Sequence, residues 1–140
     1  GCVAIGFWAA YQASQEELNL HHTLFAIRLV DAFVVQHGRW PKSWSELEAM
    51  PFDSQTPRSV QRDGYAIFIG GAMEFEWPRQ APEFRQRVVV DFDATPEEIL
   101  IADVEHYQPV RPNGAGFVYW KYGFIEDLQE TVRRQHEQVP

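Results

Sequence analysis

Residues 14–51, SQEELNLHHTLFAIRLVDAFVVQHGRWPKSWSELEAMP, decide the fold. Ser14-Gln15-Glu16-Glu17 has the spacing of a capping box, so a helix starts or is renewed there. Leu20, Leu24, Ile27, Val30 and Val34 recur at steps of three and four and form one apolar face. Leu18, Phe25, Leu29, Ala32 and Phe33 form a second, roughly opposite it at about 100° per residue. A helix apolar on two sides has two neighbours: a sheet on one, and a second helix or another subunit on the other. The polar strip between the faces carries Glu17, His21, Arg28 and Asp31, spaced to pair as Glu17 with His21 and Arg28 with Asp31. Asp31 projects near the middle of the first apolar face, where an unpaired carboxylate is costly. A structural ion pair with Arg28 is the expectation, rather than a catalytic pair.

The stop is equally legible. Gly38 suits a left-handed helix end, His37 favours the negative end of the dipole, and Pro41 forbids continuation. Ser43-Trp44-Ser45-Glu46 then opens a short helix through Met50, ended by Pro51.

Downstream, residues 52–61 are turn-rich and read as a surface loop. Residues 65–69 and 72–77, joined by Gly70-Gly71, predict a hairpin. Residues 84–92 predict a third strand after a break at 78–82, and residues 117–120 a fourth after a loop at 109–116. Thr95-Pro96-Glu97-Glu98 predicts a short helix between them. Phe124, Ile125, Leu128 and Val132 make the apolar stripe of a terminal helix, with Arg133 and Arg134 at its favoured end.

A chain of 140 residues, 45% hydrophobic and 14% aromatic, suits one packed domain without staples. The net charge of −8 and the lack of a basic patch argue against a nucleic-acid partner. The single cysteine, Cys2, excludes an intramolecular disulfide and a thiolate metal cluster.

Residues 2–11, CVAIGFWAAY, are uncharged and almost wholly apolar. As helix they rise only about 15 Å, half a bilayer core. They read either as the trailing end of a membrane segment or as an apolar turn folded onto the domain. Val3, Ile5, Phe7 and Trp8 are the candidate membrane or subunit contacts. A lipid-modified Cys2 is a third reading, without the usual polar tether after it.

The run VVQHGRWPKSWSEL at 34–47, with its Gly38-x-x-Pro41 step and Ser43-x-x-Glu46-Leu47 helix start, resembles the region after the first helix in type IV pilin-like and type II secretion pseudopilin-like proteins. The apolar segment at 2–11 is similar to the end of that family's membrane-spanning half helix. The resemblance covers about the first third of the chain. It implies an N-terminal helix on an antiparallel sheet, a membrane anchor, an extracytoplasmic domain at the periplasm or cell surface, and action through protein contacts or self-assembly.

Catalytic motifs find little support. Val88-Val89-Val90-Asp91-Phe92-Asp93-Ala94-Thr95 resembles the nucleophile motif of haloacid-dehalogenase-like phosphatases, in which Asp91 would be nucleophile and Asp93 general acid. Too little chain follows for the remaining parallel strands. The same acids fail as a calcium loop, with Pro96 where glycine belongs and Ala102 where glutamate belongs. His21, His22, His37, His106 and His136 are too scattered for a ligand motif, and no serine sits in a nucleophile elbow. Five tryptophans and nearby tyrosines supply either core or a stacking surface for sugar or peptide, with Trp77 and Trp40 the candidate ligand or partner contacts.

The sequence therefore predicts an α+β architecture: an apolar N-terminal segment (1–13), then one domain (14–140) with a long helix across an antiparallel sheet of about four strands and a C-terminal helix. The expected function is non-catalytic, with no cofactor or metal, tethered to a membrane and engaged with protein. The alternative is an extracytoplasmic ligand-binding module, and a hydrolase ranks third.

Overall fold

The computed structural model describes residues 2–50, 59–62, 65–68, 77–114 and 123–138, with the backbone alone at 2–4, 11–13, 59–62 and 65–68. Helix α1 (Cys2–His37) runs unbroken for 36 residues, about 54 Å at 1.5 Å per residue. It neither starts nor pauses at Ser14. A capping box opens a helix only where the preceding residues refuse one, and Ala9-Ala10-Tyr11-Gln12-Ala13 is rich in alanine, the strongest helix former.

From His22 to Val34 every side chain except Arg28, Asp31 and Ala32 is buried. Both predicted faces are covered from within the chain. Phe25, on the second face, packs at 5.1 Å from the Phe84 ring and 6.3 Å from Trp77. On the side of the first face, helix α5 (Phe124–Gln138) lies along α1 and turns in Phe124, Ile125, Leu128 and Val132, the stripe expected from the sequence. Gly38 ends α1 at φ +69°, its N–H donating to the Val34 carbonyl at 2.8 Å.

Ser43 caps α2 (Trp44–Glu48), which stops before Met50; its hydroxyl accepts the Glu46 N–H at 3.3 Å. Glu46 reaches back to the Lys42 N–H at 2.6 Å, one residue earlier than in a standard capping box.

The strands depart from expectation. Strand β1 (Ser59–Arg62) lies partly within the predicted loop and pairs antiparallel with β2 (Tyr65–Phe68), Ser59 opposite Phe68 and Arg62 opposite Tyr65. The Gly70-Gly71 turn, the second arm of the predicted hairpin and the strand predicted at 117–120 lie outside the described residues. Residues 84–92 are not one strand. Helix α3 (Ala81–Arg87) takes the first four residues of that run, and only β3 (Val88–Val90) is extended. The cause is Pro82 in the first turn with Glu83 beside it and Arg85 and Arg87 in the last turn, a helix start that reads as a chain break when proline alone is weighed.

Strand β3 pairs antiparallel with β4 (Val110–Pro112), inside the predicted 109–116 loop, Val90 opposite Val110. The ladder is extended at both ends, where the Asp91 N–H donates to Pro109 O and the Asn113 N–H to Arg87 O, each at 2.8 Å. In place of one sheet of about four strands, the described strands form two separate two-stranded ladders in a helix-rich α+β fold. Helix α4 (Pro96–Ile101) forms as predicted, with the Thr95 hydroxyl accepting the Glu98 N–H at 3.2 Å. Gln129 of α5 donates to the carbonyls of Ile99 and Ala102 at 2.9 and 3.1 Å, satisfying the end of α4.

Candidate functional site

Two features stand at the ends of α1: exposed apolar residues at its start and, at its finish, a hollow floored by residues of the buried core. Toward its N-terminus, residues 5–10 are all exposed, with Ile5 at 68%, Phe7 at 73% and Trp8 at 65%. Ile5 and Trp8, three apart, share one side of the helix and Phe7 stands on another at 100° per residue, while Gly6, Ala9 and Ala10 fill the rest. The exposed piece therefore has no polar face. Val3 lies in the same helix, where the backbone alone is described. Helix α1 is long and apolar enough to cross a membrane, although about half of its most apolar window is buried inside the domain.

At the other end of α1 a cavity of about 320 Å³ opens where three elements finish. Its floor is apolar, made by Val34, Trp40, Phe92, Ala94, Ile99 and Val132. The rim is polar and basic, from Arg39, Lys42, Gln135 and His136. Arg39 lies 5.2 Å above the Phe33 ring and forms a two-pronged ion pair with Glu46. Hydrogen bonds from Arg39 and from the Lys42 N–H hold the Glu46 carboxyl at about 2, well below the usual range. Arg39 and Lys42 thus share one acid, and one positive charge is left over at the rim.

The two tryptophans singled out from the sequence sit inside the structure. Trp40 is buried, and its indole N–H donates to the Asp91 carbonyl at 2.8 Å. Trp77 is half-buried, stands edge-on to Phe84 at 5.3 Å and donates to the Leu47 carbonyl at 3.3 Å. Trp44 joins the same group, 6.5 Å from Trp77 and 5.8 Å from Phe92. The N–H groups of Trp40 and Trp77 are thus spent on the backbone, joining α2 to the residues around α3 and β3.

The polar strip of α1 pairs as its spacing predicts. His21 lies 3.7 Å from Glu17, and Arg28 lies 3.5 Å from Asp31. Burial raises the Asp31 carboxyl above its ordinary value, opposed by the nearby Thr131 hydroxyl and by the Arg28 charge. The Asp91 carboxylate accepts the Tyr107 hydroxyl at 2.5 Å, and burial together with that bond pushes the phenol upward. Asp93 is exposed. Among the described residues, no three His, Cys, Asp or Glu side chains are grouped to hold a metal ion.

The cavity is the feature that the sequence reading missed as a unit. Trp40 and Val132 stood out individually, but Phe92, Ala94, Ile99, Gln135 and His136 share no local pattern. The one local hint is the cluster of Gly38, Arg39 and Lys42 around the helix stop.

No known protein family, curated protein or solved structure matches the chain.

Proposed function

We propose that this chain is a non-catalytic, pilin-like domain, tethered to a membrane through the N-terminal end of α1, lying outside the cytoplasm and acting through protein contacts. The observation that carries the reading is the asymmetry of α1: residues 22–34 are wrapped by the domain, whereas residues 5–10 are apolar on every side and covered by nothing described. A helix apolar all round is stable only against lipid or other protein. The extracytoplasmic side draws its support from the resemblance of residues 34–47 to the helix stop of pilin-like proteins. A ligand-binding module built on an aromatic surface has less behind it, because the N–H groups of Trp40 and Trp77 serve backbone carbonyls.

Fractionation of the protein in its own cell tests this. The domain is expected in the membrane fraction, resistant to high-salt and carbonate washes, and digestible by protease added outside the cytoplasmic membrane. Replacing Ile5, Phe7 and Trp8 together by serine should release it. Recovery of the unaltered protein in the cytosol, or digestion only from the cytoplasmic side, would overturn the proposal.

A further inference from the structure

We infer that the cavity at the C-terminal end of α1 is a binding site for a small amphipathic carboxylate, a medium-chain fatty acid in its chemistry. Volume sets the size. At about 30 Å³ for each water-sized group, 320 Å³ accommodates on the order of ten non-hydrogen atoms. That lies at the small end of ligand cavities, which are mostly apolar with a few placed polar groups.

The floor sets the body of the ligand. Val34, Phe92, Ala94, Ile99 and Val132 offer carbon, and the Trp40 ring adds an apolar wall because its N–H is already bonded to Asp91 O. A sugar or a polar peptide would lose hydrogen bonds to water there without replacement.

The rim sets the head group. Arg39 and Lys42 have Glu46 between them, so the rim keeps one positive charge on a chain whose net charge is −8. Among the described residues no ion-pair partner stands against the Lys42 ammonium. Gln135 adds an amide beside Gly38, its Oε1 3.4 Å from where a Cβ on Gly38 would stand, and His136 adds a ring nitrogen. A carboxylate at this rim meets a cation and the Gln135 amide; an ammonium would meet repulsion. The site is independent of the membrane-facing end of α1, so either proposal can fail alone.

Titration of the 140-residue chain with octanoate at low salt, below its micelle-forming concentration and followed residue by residue by NMR, tests the site. The expected result is saturable shifts at Val34, Ile99 and Val132, with 1-octanol and octylammonium binding at least about tenfold more weakly, the worth of one charge-assisted hydrogen bond. Lys42→Met, at an exposed position that leaves the core intact, should weaken octanoate by about tenfold and leave 1-octanol unchanged. Ala94→Leu should fill the cavity and abolish both. Linear shifts without saturation, shifts centred on Ile5, Phe7 and Trp8, or equal binding of octanoate and 1-octanol would each overturn the inference.

Discussion

His22 and Glu83 face each other where α1 meets α3, the imidazole Nε2 3.3 Å from the carboxylate. The other ring nitrogen, Nδ1, lies 2.8 Å from the Leu18 carbonyl, so both nitrogens look at oxygen acceptors. Phe84 covers the ring at 4.6 Å, and Arg87, which lies 3.4 Å from Glu83, also bonds Gln15 and Asn19 of α1. Helix α3 is thus fixed to α1 by one imidazole, one acid and one guanidinium around a phenyl ring.

Burial holds the His22 pKa below its ordinary 6.5, outweighing the upward pull of the Leu18 carbonyl and of Glu83. The unfolded chain therefore binds a proton at His22 before the folded one does, and this contribution to stability falls as pH drops from about 6.5 toward the folded value. Urea unfolding at pH 8 and pH 5 should show that loss. In His22→Phe the slope between the two should be shallower; an unchanged slope would assign the acid loss to other groups.

Phe84 is fully buried and touches His22, Phe25 and Trp77 with its ring. Phe84→Ala should cost about 3–5 kcal/mol, the range for deleting a buried aromatic ring. Equilibrium denaturation measures it. A loss under about 1 kcal/mol would mean that α3 is not seated on α1 in solution.

Gly38 holds φ +69°, and a Cβ there would stand at ordinary contact distance, 3.4 Å, from Gln135 Oε1. The cost of Gly38→Ala is therefore conformational rather than steric, about 1–2 kcal/mol. Gly38→Asn should cost less, because asparagine tolerates the left-handed region. Thermal unfolding of the two variants should rank them in that order; equal Tm values would argue against a left-handed helix end.

Trp40→Phe removes the indole N–H and leaves the Asp91 carbonyl without that donor. The expected cost is about 1–3 kcal/mol, from the unmet acceptor and the lost ring volume. A stacking surface for an external ligand predicts the reverse pattern, weaker sugar or peptide binding at unchanged stability. Chemical denaturation beside a binding assay separates the two.

Much of the helical frame was legible because its signals are local. The faces of α1 after Ser14 repeat at the helical period, Gly38 and Pro41 mark its end, Ser43 and Thr95 cap α2 and α4, and Phe124 to Val132 form a stripe. The strands were less legible. Three valines at 88–90 looked like the core of a longer strand, yet the helix signal in Pro82 and Glu83 takes the residues before them. Strand β4 is three residues long and contains a proline, so its extended state depends on pairing with β3, about twenty residues away.

The sequence alone determined where the rod stops, that Leu24, Phe25, Ile27, Leu29, Val30, Phe33 and Val34 turn inward, and that its first ten residues carry no charge, but not the burial of His22, Thr23 and Ala26. Each feature so determined is a property of neighbours within a few positions along one helix. Only the tertiary structure decided that both flanks are covered by this chain's own α3, α5 and β3–β4 ladder, and that the ends of three elements leave a basic-rimmed apolar hollow beside Trp40. A hollow belongs to no segment; it is the space left when segments distant in sequence meet at angles that side-chain packing sets, and no local periodicity encodes those angles.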